Sequence, residues 1–471
     1  MAAVDYVVLA AYLVGIVGIG VYAQRRQKGV EDYFVAGRRL GPLTIGCLWI
    51  AAWIGGAAVV GTSERAYEFG VSGVWYVLAQ AIGCVLFGLF MASRVKRIGD
   101  RHRHLTYPDF IEQHYDRRTR VVATATTVLA FTAYSAGQLA AAAALLQVML
   151  GWEYETALLL AGAVVILYTA IGGYLAVTYT DWVQVVLLLL GVVVIGIPVA
   201  ISAAGGWSDM RAVLPDSYYE LGAQGWDRIA ALVVSMVLAF FVGMDSFSRC
   251  FAARDPAAAK SGTLFAAVLI LPLAVASVWL GLACAVLYPD AANSASILAT
   301  FVLDAFPAGL KGLMLVAVLS AIMSTADICI LTASANYARD IHQRFINPGL
   351  GPRAMLRLGI LASAAVGLLS MLLAWKMRDI IDILQLGFTI NAAGLFLPTV
   401  AAIYWDRVSA DAAFWSTSAS LVIVIGWRVA AEAGAGSIFA IDPLWPGLLV
   451  SVVLLVGLTL LRPLPAARTA A

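Results

Sequence analysis

Ser324 and Thr325 are the residues in this sequence whose position calls most directly for a chemical role. They stand in the middle of a long apolar run at 311–340, where hydrocarbon gives polar atoms no partner. On a helix they share a face with Ala321, at i, i+3 and i+4, so two hydroxyls and a backbone carbonyl can point at one spot. Such an oxygen cluster is typical of a site for a small hard cation. The alternative is that both hydroxyls only bond back to carbonyls of the preceding turn.

Asp327 lies one turn further along the same run. A carboxylate at that depth costs roughly 3 kcal/mol or more on insertion scales and requires a partner. Its presence favours the functional interpretation of the run over the purely structural one.

The adjacent Gly55 and Gly56 fall in the middle of another apolar run, LTIGCLWIAAWIGGAAVVG. Each glycine costs a helix roughly 1 kcal/mol relative to alanine, so the pair predicts a local break, although small-residue packing is the alternative. A broken membrane helix releases carbonyls, which are tolerated where they line a cavity or hold an ion. Ala51 and Ile54, just before the glycines, would offer theirs.

A second interruption is predicted at Gly243, beside Asp245, five spans further along the chain. Corresponding interruptions in two halves of a membrane protein indicate a transporter built from repeats, with its binding site at the breaks. Each set of five spans has odd parity, so the second repeat must be inverted relative to the first.

The composition requires a membrane protein. Of 471 residues 62% are hydrophobic and only 12% are charged, far from the ~25% charged residues of soluble domains. Apolar runs of about 20 residues predict an all-α polytopic chain with about 13 transmembrane helices, and its surroundings are a lipid bilayer. The single cysteines and loop histidines match no metal or redox spacing, and no motif indicates nucleic-acid binding or an enzyme.

The spans group into one transmembrane domain over 1–471. We expect an extra N-terminal helix at 5–24, retained as a span, a first five-helix repeat at 43–204, an inverted second repeat at 228–404, and two C-terminal helices at 412–462. Most of the 30 Lys and Arg residues fall in loops on one side. The positive-inside rule then places the N-terminus outside and the C-terminus in the cytoplasm, in the plasma membrane.

Five segments occur in order along the chain: DYFVAGRRLGP at 32–42, TYPDFIEQHY at 106–115, IGGYLAVTYTDWVQ at 171–184, SRCFAARDPAAAKSG at 248–262 and GLMLVAVLSAIMSTAD at 312–327. In these segments the chain resembles the sodium:solute symporter family. The resemblance implies a leucine-transporter-type fold, with two inverted five-helix repeats flanked by one N-terminal and two C-terminal helices.

The resemblance also implies Na+ ligands, carried over position by position. They are the carbonyls of Ala51, Ile54 and Ala321 and the hydroxyls of Ser324 and Thr325. Asp181 matches an aspartate that some members place near the sodium path or in a second sodium site.

That second site uses hydroxyls at the positions held here by Asp327 and Ile328, and the isoleucine side chain cannot coordinate. Asp327 could replace the missing oxygen, support the first site from behind, or titrate. One sodium per cycle is therefore expected.

For the solute, a site is expected at the two breaks, formed by Trp53, Gly55, Gly56, Phe240, Phe241, Asp245 and Asn391. Asp245 would pair an ammonium group and the tryptophan face would add a cation–π contact. The alternative is that Asp245 pairs with Arg249 one turn on. Proline carriers have an acidic residue where Trp53 stands, so proline is disfavoured as the solute.

The sequence thus predicts sodium-coupled symport of a small organic solute, an amine, an amino-acid-like molecule or a carboxylate, into the cell by alternating access. One alternative keeps the fold and uses a proton carried by Asp327 or Asp181. An alternative of another class is a membrane sensor, but sensors of this family append a signalling domain and only LRPLPAARTAA follows the last span.

Overall fold

The structure is a computed structural model that describes residues 1–26, 35–291, 294–377, 380–405 and 407–461. Within these ranges the chain is helical, and its strand-like pairing is limited to a bridge between Leu40 and Ala253. The first three residues of the motif at 32–42, and the last residue of the predicted C-terminal helices, 462, lie outside the described residues.

The first half of the chain begins with one long helix, continues with several short helices and then has two adjacent long ones. Its helices are α1 (Ala3–Arg26), α2 (Pro42–Trp53), α3 (Thr62–Phe69), α4 (Trp75–Phe90), α5 (Ala92–His102), α6 (Tyr107–His114), α7 (Arg117–Leu150), α8 (Tyr154–Leu188) and α9 (Ile197–Ala204).

The second half mixes short and long helices up to residue 305 and then has five long helices in succession. Its helices are α10 (Trp207–Val213), α11 (Trp226–Phe240), α12 (Met244–Ala252), α13 (Pro256–Leu287), α14 (Ile297–Ala305), α15 (Leu310–Ala335), α16 (Pro352–Lys376), α17 (Ile380–Tyr404), α18 (Ala410–Glu432) and α19 (Leu444–Leu461). A wider π-helical segment, Asn336–Ile346, continues α15.

Eleven segments of the described chain are long and apolar enough to cross a bilayer. Two shorter apolar helices, Pro42–Trp53 and Tyr154–Leu167, supply the other spans expected from the sequence. The architecture is therefore compatible with about 13 spans.

Both glycine interruptions break their helices. Between α2 and α3, Ile54 leaves the helical region with φ −91° and ψ 73°. Between α11 and α12, Gly243 is extended, with φ −60° and ψ 126°. Within a membrane, backbone groups released at such breaks require partners from the rest of the protein.

Two glutamine side chains supply those partners at the first break. Gln80 on α4 donates from Nε2 to the Trp53 carbonyl at 2.9 Å, and Gln138 Oε1 on α7 accepts from the Gly56 amide at 2.7 Å. The break is therefore held open by polar groups of neighbouring helices.

Helix α15 forms the centre of the bundle. From Met314 to Ala335 every residue is buried, and the helix packs against α1, α2, α7, α8 and α16. A helix that is apolar all round is expected to be enclosed by others, as observed. This packing brings the Ser324–Thr325 pair against the first break.

Candidate functional site

Four of the predicted ion-binding oxygens meet where α15 crosses the end of α2. Ser324 Oγ lies 2.8 Å from the Ala51 carbonyl oxygen and 3.0 Å from that of Ala321. Thr325 Oγ1 lies 3.0 Å and 3.1 Å from the same two oxygens. All four residues are buried. Back-bonding to Ala321 is thus present, but both hydroxyls also reach across to the other helix.

Ile54, which carries the fifth predicted oxygen, is the first residue after α2. Next to it, Gly55 lies so close to α15 that a Cβ added there would be 2.6 Å from Thr325 Oγ1. The lack of a side chain at Gly55 therefore permits the approach of the break to the hydroxyl pair. Carbonyl and hydroxyl oxygens without a soft ligand form a donor set that fits an alkali or other hard cation.

Asp327 faces a second buried polar region, between α15, α1 and α8. Neither of its carboxyl oxygens, nor Oδ1 of Asp181, has a hydrogen-bond partner in the described chain. Both carboxyl groups lie within electrostatic range of the Tyr12 hydroxyl, which accepts a hydrogen bond from Gln184 Nε2 at 3.2 Å. Unsatisfied buried carboxyl oxygens of this kind require a functional or solvent explanation.

A narrow cavity of about 30 Å³ adjoins the oxygen cluster, and Thr325 belongs to both. This is room for little more than one water molecule. Its walls are mostly aromatic, with a few hydroxyl, amide and carboxylate groups. The lining residues are Ala52, Trp53, Tyr76, Phe131, Tyr134, Gln138, Asp245, Thr325, Ile328, Cys329, Leu384 and Phe388.

Asp245 lines this cavity but is already paired. Its Oδ2 accepts from Arg249 Nη1 at 2.9 Å, and Arg249 also donates from Nε to the Leu48 carbonyl at 2.9 Å. The guanidinium lies 5.4 Å from the Trp49 ring centroid. The ion pair that the sequence offered as an alternative is therefore present, and it fixes α12 to α2.

The other residues expected at the solute site lie at different distances from the cavity. Trp53 lines it, and the Phe240 ring stacks on Trp53 at 3.6 Å between centroids. Asn391 lies behind the wall and donates from Nδ2 to the Tyr134 hydroxyl at 3.4 Å.

Of the seven residues expected at the solute site, only Trp53 and Asp245 line the cavity, and Gly55, Gly56, Phe240, Phe241 and Asn391 do not. Phe241 packs on the rings of Phe87 and Phe396 instead. Gly56 lies against α7 and α15, where an added Cβ would be 2.6 Å from Ala141 Cβ and 2.9 Å from Ile322 Cγ1.

Sequence reasoning missed the wall that α4 and α7 contribute. Tyr76, Phe131, Tyr134 and Gln138 all line the cavity. A signal existed for part of it, because Tyr134 and Gln138 are separated by four residues and so share one face of a helix in an otherwise apolar span.

One end of the bundle opens into a wide vestibule of about 790 Å³. Arg65, Arg228, Arg428 and Asp442 are among its lining residues, and it reaches Tyr76, which also lines the narrow cavity. We call this the vestibule end. Tyr76 thus separates the vestibule from the cavity.

The opposite end of the bundle carries a cluster of ion pairs, and we call it the network end. Arg120 on α7 contacts Glu112 and Asp340 and lies 2.9 Å from the Asp109 carboxylate. Arg344 lies 2.6 Å from Glu112. These contacts join α6, α7 and the π-helical continuation of α15.

Arginines also set the protonation of the carboxyl groups on α6. Burial alone would raise the pKa of Glu112, but hydrogen bonds and charge from Arg120 and Arg344 outweigh it and hold that pKa below its ordinary value. The pKa of Asp109 is lowered in the same way, by Arg339 and Arg120 acting against burial. Both groups are therefore ionised near neutral pH.

Two broken helices that face each other, with an oxygen cluster and a narrow cavity at the breaks and a vestibule that reaches the narrow cavity at Tyr76, define a secondary transporter. The chain belongs to the sodium:solute symporter family, whose model matches residues 33–419. Members of this family are sodium-coupled symporters, so the protein is a transporter and not an enzyme.

Curated relatives support this assignment along nearly the whole chain. The chain is 28% identical to the sodium/pantothenate symporter of Escherichia coli over 94% of each chain. It is 25% identical to the sodium/proline symporter of the same organism, over 90% of this chain and 87% of the relative.

Among solved structures, a Na+-coupled sialic acid symporter in a substrate-bound outward-open state has a TM-score of 0.83 at 21% identity, covering 98% of each chain. A nucleobase-cation-symport-1 family transporter in a closed conformation has a TM-score of 0.58 at 18% identity, covering 91% of this chain and 95% of that one. These similarities establish the leucine-transporter-type fold.

Proposed function

We propose that the protein imports a small organic carboxylate or amino-acid-like solute with one sodium ion per cycle. Sodium would be held by the carbonyls of Ala51, Ile54 and Ala321 and the hydroxyls of Ser324 and Thr325. The observation that carries this proposal is the approach of both hydroxyls to the Ala51 carbonyl across two helices. Hydroxyls that only satisfied their own helix would not need to reach α2.

Coupling follows from the helices that the two sites share. Ala52 and Trp53 on α2, with Thr325 and Ile328 on α15, line the cavity beside the ion ligands. Sodium that joins α2 to α15 would therefore set the cavity walls. By linkage each ligand raises the affinity for the other equally, usually by about 5- to 150-fold.

The polar groups of the cavity wall match a carboxylate or a zwitterion better than a simple amine. Asp245 already has an arginine partner, so it is less free to pair an ammonium group. Tyr76, Tyr134 and Gln138 bring polar groups to the remaining wall. The solutes named for the two bacterial relatives, pantothenate and proline, both carry a carboxylate.

Asp181 and Asp327 are proposed either to stabilise the sodium ligands without binding the ion or to bind a second cation. Their unsatisfied oxygens face a polar region next to the sodium ligands. Ile328 points into the solute cavity and has no side-chain oxygen, which favours one sodium over two.

The vestibule end is proposed to face outward. The network end carries the α5–α6 region and the start of α16, where the basic loops lie, so the positive-inside rule places it in the cytoplasm. The N-terminus is then outside and the C-terminus inside. The two inverted repeats, 43–204 and 228–404, would move against each other to open the network end.

Uptake into proteoliposomes tests the proposal. Radiolabelled pantothenate, proline, a simple amine and a sugar are supplied at fixed pH with an inward sodium gradient, and again with potassium. We expect sodium-dependent accumulation of a carboxylate-bearing solute. Accumulation driven equally by a proton gradient without sodium would support the proton-coupled alternative, and selective uptake of the amine would overturn the solute class.

A further inference from the structure

A second large cavity lies at the network end, away from the sodium and solute sites. Its volume is about 790 Å³, and it lies between α5, the end of α6 and the end of α17. One wall carries the guanidinium groups of Arg94, Arg97 and Arg101. No carboxylate is among its lining residues in the described part of the chain.

The three arginines are spaced at i, i+3 and i+7 along α5, so they share one face of that helix. The acidic residue of α5, Asp100, is engaged elsewhere, 2.7 Å from Lys96 Nζ and 3.4 Å from Arg38. Arg97 and Arg101 are both exposed, and neither forms an ion pair with any described residue. Like charges four residues apart on a helix destabilise it, which an anion between them would relieve.

The wall contributed by the end of α17 and the segment after it is apolar and includes Ala401, Ile403, Trp405 and Val408. A cavity with one cationic and one apolar wall matches a ligand that has an anionic part and a hydrocarbon part. A free inorganic anion would gain nothing from the apolar wall.

The cavity also begins where the lipid-facing surface ends. Leu89 and Phe90, at the end of α4, are 50% and 55% exposed. Tyr404, at the end of α17, donates a hydrogen bond to the Phe90 carbonyl at 2.6 Å and lies under the Arg94 guanidinium at 4.3 Å. Tyrosine and tryptophan at a helix end are typical of the membrane interface.

We propose that this basic cavity binds the phosphate headgroup of an anionic phospholipid, with its acyl chains running along the exposed end of α4. Basic pockets between membrane helices are known to take such headgroups. The inference does not depend on which solute is carried or on the sodium ligands.

The test uses full-length protein purified in detergent, with thermal unfolding measured during titration of phosphatidylglycerol or phosphatidylcholine. The charge-removing variant is Arg97→Gln with Arg101→Gln, and the charge-keeping variant is Arg97→Lys with Arg101→Lys. The matched control is Arg353→Gln with Arg357→Gln, because both residues are exposed arginines four apart at the start of α16, at the same end of the bundle.

We expect phosphatidylglycerol to raise the unfolding temperature of the wild type, the lysine variant and the control, whereas phosphatidylcholine does not. The glutamine variant should need about 30-fold more phosphatidylglycerol for half of the full rise in unfolding temperature. Each charge removed beside the anionic headgroup should weaken binding roughly fivefold, and two charges are removed. Arg101→Gln alone should need roughly fivefold more, and it serves if the double variant does not fold.

Equal titration midpoints in the glutamine variant and the control would overturn the proposal, as would a wild type indifferent to phosphatidylglycerol. Inorganic phosphate and glycerol phosphate are titrated in the same thermal-unfolding assay. If either gives the same shift as the lipid, the ligand is a free anion and the lipid assignment is wrong.

Discussion

Replacing Gly55 with alanine tests the sodium site through its packing. An added Cβ would lie 2.6 Å from Thr325 Oγ1 and 2.5 Å from Gln138 Oε1. Ordinary contact starts near 3.4 Å, so the Thr325 hydroxyl would have to retreat by about 0.8 Å. That hydroxyl now lies 3.0 Å from the Ala51 carbonyl, and such a displacement takes it beyond hydrogen-bond or ligand distance.

The expected cost is that of one polar contact to a charged group, about 1.5 to 3 kcal/mol. This corresponds to roughly a 10- to 150-fold rise in the sodium concentration that gives half-maximal uptake. The maximal rate at saturating sodium should fall less, because the solute cavity keeps most of its walls.

The assay is sodium-dependent solute uptake into proteoliposomes at fixed pH. Gly426→Ala is the matched control, because a Cβ at that helical glycine would meet nothing within 4 Å. Its sodium dependence should equal that of the wild type. If Gly55→Ala reconstitutes normally and keeps the wild-type sodium requirement, the first break does not hold the ion.

Three further substitutions examine the cavity and the network end. Asp245→Asn weakens the ion pair with Arg249, so we expect solute affinity to fall about equally for cationic and anionic solutes. If competition assays show a loss confined to amines, Asp245 binds an ammonium group. Tyr76→Ala should widen the passage from the vestibule to the narrow cavity, so a thiol reagent should modify a cysteine placed in the cavity faster. An unchanged modification rate would mean that Tyr76 does not separate the vestibule from the cavity. Glu112→Gln should raise the accessibility of the network end to a thiol reagent, because it removes a contact to Arg120. In the wild type, the lowered pKa of Glu112 means that this contact persists as pH falls past the ordinary carboxyl pKa and is lost only near the lowered value. A wild type that already matches Glu112→Gln in accessibility at the ordinary carboxyl pKa would contradict the assignment.

The geometry of the candidate ion site could be predicted from sequence because its elements are local. A glycine pair in an apolar run marks a break wherever the chain folds, and hydroxyls at i+3 and i+4 share a face on any helix. The Asp245–Arg249 pair is local in the same way and was available as an alternative.

The solute cavity could be predicted only in part, because its walls depend on which helices pack together. The sequence does not reveal that α7 packs beside the first break and turns Tyr134 and Gln138 toward it. Phe241 follows Phe240 directly, yet α11 ends there and the two rings point to different neighbours. Adjacent aromatic residues at a break therefore cannot be assigned to one cavity from sequence.

Equilibrium binding of radioactive sodium to the purified protein tests the central claim most directly. The wild type and Thr325→Ser should bind about one ion per chain, since serine keeps the hydroxyl oxygen, whereas the double variant Ser324→Ala with Thr325→Ala should show no saturable binding in the same concentration range. Unchanged sodium affinity in the double variant would contradict the site, and with it the coupling of solute to sodium through α2 and α15.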